Sequence, residues 1–145
     1  MYPARVDDKG RLKLPVGFQQ FFAGLLEKKL FVTSFDRRIG QIYPIANWRE
    51  AKNFLYGQKE NAKAAGNLAF NAQDLGADSE MDNQGRVLLP PEMRRELGIE
   101  NQSVRLFHYK GRVEILSEAV YQERKLKAAA AAQSDLETLD GAGLQ

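Results

Sequence analysis

Residues 6–15 of the chain read VDDKGRLKLP, and residues 81–90 read MDNQGRVLLP. The two stretches align at an offset of 75 positions, with aspartate, glycine, arginine and proline in common and apolar residues matched at three further positions. Self-similarity at a fixed offset is the sequence signature of a duplicated structural unit. We call these stretches the first motif and the second motif, and they predict a chain built from two similar halves.

The similarity extends beyond the motifs, because the same succession of patterns follows each of them. After the proline, apolar residues recur every three to four positions, which indicates a short helix. Two β-branched and aromatic runs separated by a turn come next, and a further helix closes each half. The predicted elements are helices at 15–22 and 90–97, strands at 30–35 and 103–109, turns at 36–38 and 110–112, strands at 39–43 and 113–116, and helices at 45–50 and 118–122. Each half is thus predicted to run strand, turn, strand, helix, strand, turn, strand, helix.

The pattern divides the chain into four parts. They are a first half at 2–50, a helical connector at 51–80, a second half at 81–127 and an alanine-rich, then acidic tail at 128–145. The connector helix is predicted to break at Gly66 and to end in a turn at 74–78. The alanines at 128–132 favour a helix that starts near Ser117 and runs on through Ala132, and residues 134–145 are expected to be frayed or disordered. Since a two-stranded hairpin is marginal alone, we expect the halves to pair into one pseudo-two-fold α+β structure.

The composition excludes several classes of site. The 145 residues include no cysteine and one histidine, which excludes disulfides, zinc–thiolate sites and a multi-histidine metal centre. No apolar stretch approaches the roughly 18 residues of a membrane span, and the first residues lack the apolar core of a signal peptide. We therefore expect no cofactor, no membrane partner and a cytoplasmic location.

Charge is distributed unevenly along the chain, although the formal net charge is only +2. Residues 1–50 carry nine basic and five acidic side chains, whereas residues 128–145 carry three acidic and no basic ones. The acidic tail therefore masks a basic first half, and a local excess of positive charge permits contact with phosphate groups.

Each motif has the chemistry of a tight turn with an arginine at its tip. Gly10 and Gly85 occupy the position where a short hairpin loop needs a positive φ, and the leading aspartate can accept hydrogen bonds from backbone amides two or three residues later. That aspartate could also orient the arginine four residues on, Arg11 or Arg86. An arginine held this way can bind guanine or phosphate, or it can simply brace the turn. The sequence leaves both roles open.

The first motif is the more basic of the two. Arg5, Lys9, Arg11 and Lys13 lie within nine residues, and strand alternation places Arg11 and Lys13 on the face opposite to the leucines that flank Lys13. The equivalent positions in the second half are Glu80, Gln84, Arg86 and Leu88. We expect the first half to make most of any contact with nucleic acid.

The two motifs resemble those of the bacterial MraZ transcriptional regulators, which belong to the AbrB-like (SpoVT-AbrB) swapped-hairpin superfamily. The resemblance rests on two Asp-x-x-Gly-Arg turns, each leading to Leu-Pro and a short helix, and on Ile42-Tyr43-Pro44 before Trp48. It covers about residues 2–123. A single turn of this kind would be weak evidence, but the doubled arrangement in this order is specific.

The resemblance implies a fold, a partner and a set of contact residues. The fold is a double swapped-hairpin β-barrel made of two pseudo-symmetric halves with short peripheral helices. The function is regulation of transcription by ring-like homo-oligomers that bind short direct repeats in double-stranded DNA, upstream of a division and cell-wall gene cluster, on the nucleoid. The DNA-contacting candidates that it implies are Asp7, Lys9, Arg11, Asp82 and Arg86, to which the charge pattern adds Arg5, Lys13 and Gln84.

Three alternatives compete with this interpretation. Catalysis by Asp7 and Asp8 is disfavoured, because adjacent residues of a strand point to opposite faces and a turn aspartate is usually a backbone acceptor. An antitoxin-like module that binds a protein partner is the nearest rival, but such proteins usually have one motif and a longer acidic arm. The third is oligomerisation without a DNA role, which would use some of the aromatic core candidates. These candidates are Phe31, Phe35, Tyr43, Trp48 and Phe54.

Overall fold

A computed structural model describes all 145 residues and shows a mixed α+β fold. The eight strands are β1 (Tyr2–Arg5), β2 (Arg11–Lys13), β3 (Leu30–Thr33), β4 (Gly40–Pro44), β5 (Ala77–Ser79), β6 (Arg86–Leu88), β7 (Ser103–Tyr109) and β8 (Arg112–Ser117). The five helices are α1 (Val16–Ala23), α2 (Ile45–Tyr56), α3 (Ala62–Leu75), α4 (Pro91–Leu97) and α5 (Glu118–Gly141). The predicted order of elements is confirmed in both halves.

The strands pair antiparallel and mix the two halves of the chain. One sheet has six strands in the order β1-β7-β8-β4-β3-β5, and the two motif strands form a separate ribbon, β2-β6. β1 therefore pairs with the β7-β8 hairpin of the second half, and β5, at the end of the connector, pairs with the β3-β4 hairpin of the first half. The α+β class is confirmed by these elements, and closure of the sheets into a barrel stays a prediction.

The main core lies between the inner face of the ribbon and the large sheet. It contains 18 buried apolar residues, among them Leu12, Leu14, Val87 and Leu89 from the two motifs. Alternation along β2 and β6 puts these side chains inside and the charged ones outside. The buried residues that follow each motif turn thus anchor the turns to the main core.

A second, smaller buried cluster is centred on Trp48 of α2. The Trp48 ring stacks on Phe31 with 4.3 Å between the ring centroids, and Tyr43 meets it edge-on. Phe35 packs against the same cluster. The core assignment of Phe54 is wrong, because this side chain is 66% exposed on the outer face of α2.

The connector is more regular than the sequence predicts. Helix α3 passes through Gly66 without a break, and the end of the turn predicted at 74–78 belongs instead to β5, which pairs with β3. Gly66 is tolerated because alanines and other helix formers flank it. The helix ends at Gly76 instead, where a Cβ would lie 2.5 Å from Cζ of Phe31, so this close packing marks the switch from helix to strand.

Gly66→Ala is expected to raise the free energy of unfolding by about 0.5–1 kcal/mol, because glycine costs this much relative to alanine inside a helix. A Cβ at this position would meet no atom within 4 Å. Urea unfolding measures the change. Gly98→Ala is the control: it also has free space, but its φ of +67° should make it destabilising. A loss of stability in Gly66→Ala would contradict this account.

The tail is helical where the sequence suggests a frayed or disordered end. Helix α5 begins at Glu118 and continues to Gly141, and Ser117 caps its start, since Ser117 Oγ accepts a hydrogen bond from the Val120 amide at 3.1 Å. The five alanines favour helix, and no glycine or proline interrupts the run before Gly141. With 24 residues and no buried side chain, α5 confirms the predicted run through Ala132 and continues beyond it. No helix of the structure is long and apolar enough to cross a membrane.

Candidate nucleic-acid interface

The two motifs, far apart in sequence, are joined directly in the β2-β6 ribbon. Arg11 lies opposite Leu88, Leu12 opposite Val87, and Lys13 opposite Arg86. Two hydrogen bonds extend the pairing into the turns: the Leu14 amide donates to the Gly85 carbonyl and the Leu89 amide to the Gly10 carbonyl, both at 2.9 Å. Each motif strand therefore runs alongside the turn of the other motif.

The first motif turn is organised by the carboxylate of Asp7. Its Oδ1 accepts hydrogen bonds from the backbone amides of Lys9 (2.9 Å) and Arg11 (2.8 Å), and its Oδ2 accepts one from Arg11 Nε at 2.9 Å. Gly10 has a φ of +80°, as the turn requires. The predicted aspartate acceptor and the oriented arginine are both confirmed.

The second motif turn repeats this geometry. Asp82 Oδ1 accepts from the amides of Gln84 and Arg86, both at 2.9 Å, and Asp82 Oδ2 accepts from Arg86 Nε at 2.8 Å. Gly85 has a φ of +75°. The second turn therefore has the same three hydrogen bonds as the first. In each turn, the bond from arginine Nε to aspartate Oδ2 orients the arginine side chain.

Bracing the turn does not use up either guanidinium. In Arg11 and Arg86 the bond to aspartate engages Nε, and neither Nη group of either side chain has a hydrogen-bond partner. Both side chains are partly exposed, at 30% and 24%. The two Nη groups of a guanidinium can donate together to the two acceptors of a guanine edge or of a phosphate. The brace and a ligand contact are therefore compatible.

Four side chains share the outer face of the ribbon. Residues that lie opposite each other in an antiparallel pair project to the same face, which groups Arg11 with Leu88 and Lys13 with Arg86. Lys13 Nζ also donates to the carbonyl of Gln84, 71 positions away, so this lysine reaches over the second motif. The ribbon brings three cations together on one surface.

The remaining predicted residues lie at the turns or beyond them. Lys9 and Gln84 are exposed at the tips of the two turns, and their side chains make no hydrogen bond that fixes them. Arg5 is directed elsewhere: its Nη2 donates to the carbonyl and to Oδ1 of Asn101, at 2.8 and 3.1 Å. The structure therefore gathers seven of the predicted residues around the ribbon and ties the guanidinium of Arg5 to a different loop.

The aspartates stay ionised because the turns stabilise their charged form. The hydrogen bond from the Arg11 amide lowers the pKa of Asp7 below its ordinary 3.8, against the opposing effect of desolvation, and the Arg11 guanidinium and the Lys9 amide add to the lowering. The pKa of Asp82 is lowered in the same way by the backbone amide of Arg86, by the Arg86 guanidinium and by the backbone amide of Gln84. At neutral pH each turn thus holds a carboxylate beside its arginine.

We expect this arrangement to weaken the protein in acid. A carboxyl whose pKa is lower in the folded state stabilises the fold above its unfolded pKa, and this stabilisation disappears as the pH falls through the folded pKa. Wild type should therefore be more stable than Asp7→Asn near neutral pH, and this difference in the free energy of unfolding should shrink as the pH falls below about 3.9, the ordinary pKa of an aspartate in an unfolded chain. Urea unfolding of both proteins across this range measures it. A gap that is independent of pH would contradict the assignment.

Three residues outside the predicted site contact or share this surface. Leu88 is 54% exposed between the cations of the ribbon. Arg94 is only 14% exposed and its guanidinium lies over Gly10, while the amide of Gln19 lies over Gly85. The signal that could have found the last two is the repeat itself, because positions 19 and 94 differ by the same offset of 75.

Comparison with known proteins agrees with the repeated motif. The chain is 30% identical over 122 residues to the transcriptional regulator MraZ of Acidobacterium capsulatum, an alignment that covers 84% of this chain and 83% of that protein. The chain belongs to the MraZ family. The MraZ of Herpetosiphon aurantiacus is 38% identical over 107 residues, 71% of this chain and 69% of the relative. The MraZ of Desulfitobacterium hafniense is 29% identical over 146 residues, 99% and 96% of the two chains. No family model matches the chain.

Membership of the MraZ family confirms the prediction of a transcriptional regulator rather than an enzyme. The structure contains no group of three or more histidine, cysteine, aspartate or glutamate side chains that could hold a metal ion.

Proposed function

We propose that the chain is a sequence-specific DNA-binding regulator and that the outer face of the β2-β6 ribbon is its DNA-binding surface. The observation that carries this proposal is the pair of arginines, Arg11 and Arg86, held by aspartates through Nε with their Nη groups free. A two-stranded ribbon fits the major groove of B-form DNA, where an arginine can bind O6 and N7 of guanine together.

The other candidate residues divide between positioning and phosphate contact. Asp7 and Asp82 orient the arginines and do not need to touch DNA. Lys13 lies across from Arg86 and Lys9 is exposed at its turn, so both are placed for the phosphates beside the groove, and Gln84 is placed for a neutral contact. Arg5 is the weakest member of the set, because Asn101 already occupies its guanidinium.

The first motif should contribute more binding energy than the second. At two equivalent positions it is the more basic, Lys9 against Gln84 and Lys13 against Leu88, and the residue just before the motif is Arg5 where the second half has Glu80. Each cation that neutralises a phosphate releases a counterion and strengthens binding at low salt. The pseudo-two-fold ribbon therefore presents two similar arginines in unequal electrostatic surroundings.

We further propose that the target is a set of promoter repeats upstream of the chain's own division and cell-wall gene cluster, bound on the nucleoid by a ring-like homo-oligomer. The family resemblance supports this target and this assembly. In a ring, several ribbons would engage neighbouring repeats, and linked contacts gain strongly from effective concentration. Native mass spectrometry with and without the upstream DNA tests the assembly, and a monomer that binds as tightly as any oligomer would contradict it.

The experiment that tests the function compares two DNA fragments by fluorescence anisotropy at two salt concentrations. One is the fragment upstream of the chain's own gene, and the other is a shuffled fragment of the same composition. We expect the upstream fragment to bind at least about 10³-fold more tightly, the lower end of specific recognition. Equal affinity for both would reduce the activity to non-specific binding.

Leu88→Lys tests where the DNA lies on the ribbon. The substitution gives the second motif the cation that the first motif has in Lys13, so we expect the slope of log K against log salt to steepen by about 0.9, the value for one more neutralised phosphate. Leu88→Gln is the matched control, since it adds polarity without charge and should leave the slope unchanged. The same slope in both variants would place Leu88 away from the DNA.

A further inference from the structure

The glycine of each motif turn is covered by a side chain from the opposite half of the chain. A Cβ added to Gly10 would overlap the guanidinium of Arg94, with Nε at 2.7 Å. A Cβ added to Gly85 would overlap the amide group of Gln19, with Oε1 at 2.5 Å. The planar polar groups of Arg94 and Gln19 therefore lie directly on the two turns, in space that any larger turn residue would fill.

The two coverings are equivalent under the internal repeat. Gln19 on α1 and Arg94 on α4 occupy the same position of the duplicated unit. Gln19 Nε2 donates to the Leu14 carbonyl at 2.7 Å, and Arg94 Nη1 donates to the Leu89 carbonyl, which is again the equivalent position. Different side chains thus make the same contact in both halves.

Each of these hydrogen bonds lies within one half, and the planar group that it holds packs on the turn of the other half. Leu89 accepts from Arg94 through its carbonyl and donates through its amide to the carbonyl of Gly10, so the strand end and the helix of the second half hold the first turn from two sides. Arg11 directly follows Gly10, and a shift of the turn relative to the ribbon would move its guanidinium. The bonds within the turn, from Asp7 to the backbone and to Arg11, would survive such a shift.

We propose that Arg94 and Gln19 are crossed positioning residues: Arg94 holds the first turn and so places Arg11 for DNA, while Gln19 holds the second turn and so places Arg86. The inference rests on the proposed function, in which these two arginines contact DNA. It predicts a crossed pattern of coupling. Arg94 of the second half acts through Arg11 of the first half, and Gln19 of the first half acts through Arg86 of the second.

Double-mutant cycles test this pattern with the fragment upstream of the chain's own gene as the probe. Arg94→Ala is expected to lower affinity about fivefold in wild type and in Arg86→Ala, an effect typical of residues in contact, but to have no further effect in Arg11→Ala. Gln19→Ala should show the mirror pattern, with its effect lost only in Arg86→Ala. A purely structural role would lower affinity equally in both arginine backgrounds.

The outcomes separate this inference from the function on which it rests. If Arg11→Ala and Arg86→Ala leave affinity unchanged, the proposed DNA contact fails and the inference fails with it. If those variants lose affinity but Arg94→Ala costs the same in both backgrounds, only the crossed positioning is overturned.

Two further variants keep the test decisive if Arg94→Ala does not fold. Arg94→Gln installs the residue that performs this task in the other half, and we expect affinity within about twofold of wild type. Arg94→Met preserves length and packing but cannot donate to the Leu89 carbonyl, so it should bind less tightly than Arg94→Gln. Equal binding by the two variants would overturn the role of the hydrogen bond.

Discussion

Arg11→Ala is expected to weaken binding to the upstream DNA by about 5- to 150-fold, the value of one bidentate contact between arginine and guanine. Stability should change little, because the backbone bonds to Asp7 Oδ1 come from the amides of Lys9 and residue 11 and do not need the arginine side chain. The ion pair that is lost is partly exposed, and such pairs contribute modestly. Fluorescence anisotropy and thermal unfolding of the same preparations measure both effects.

Arg38→Ala is the matched control for this prediction. It removes the same charge from the β3-β4 turn, where Arg38 Nη2 is bonded to Glu123 of α5 rather than projecting from the ribbon. Affinity should stay within about twofold of wild type, because loss of a remote charge is largely screened at physiological salt. Arg86→Ala should fall between the two variants. An Arg11→Ala protein that binds as well as Arg38→Ala would remove the arginine from the interface.

The parts of the site that the sequence predicts are those that local chemistry decides. Asp7, Gly10 and Arg11 lie within five residues, and the turn follows from a carboxylate acceptor, a positive φ and an arginine that reaches back to the carboxylate. The repeat then transfers the same geometry to the second motif. Alternation in β2 predicts equally well which side chains face outward, since this depends only on the pleat of the strand.

The parts that the sequence does not predict depend on contacts between distant residues. Nothing near Lys13 indicates that its ammonium group will meet the carbonyl of Gln84, and nothing near Arg94 indicates that its guanidinium will lie on Gly10. Both contacts follow from the crossing of the two halves in the ribbon. The same limit explains residues 77–79, whose turn-like composition is overridden by pairing with β3.

Leu12→Ala should destabilise the protein by about 2–5 kcal/mol, the usual cost of removing a fully buried leucine from a core. Leu12 has no exposed surface, lies opposite the equally buried Val87 and bridges to Val6, so its side chain joins both motifs to the main core. The cavity would form directly beneath the surface that carries Arg11 and Lys13. The free energy of unfolding in urea measures the effect.

Leu88→Ala is the control that separates the effect of burial from the effect of removing a leucine. The residue type and the ribbon are the same, but Leu88 is 54% exposed, so the expected change is within about 0.5 kcal/mol. If the two variants lost similar stability, the ribbon would not be anchored by its inner face. If only Leu12→Ala is destabilised, the inward-facing residues of the ribbon anchor the outward-facing residues to the core. The arginines that face the DNA then project from a rigid surface.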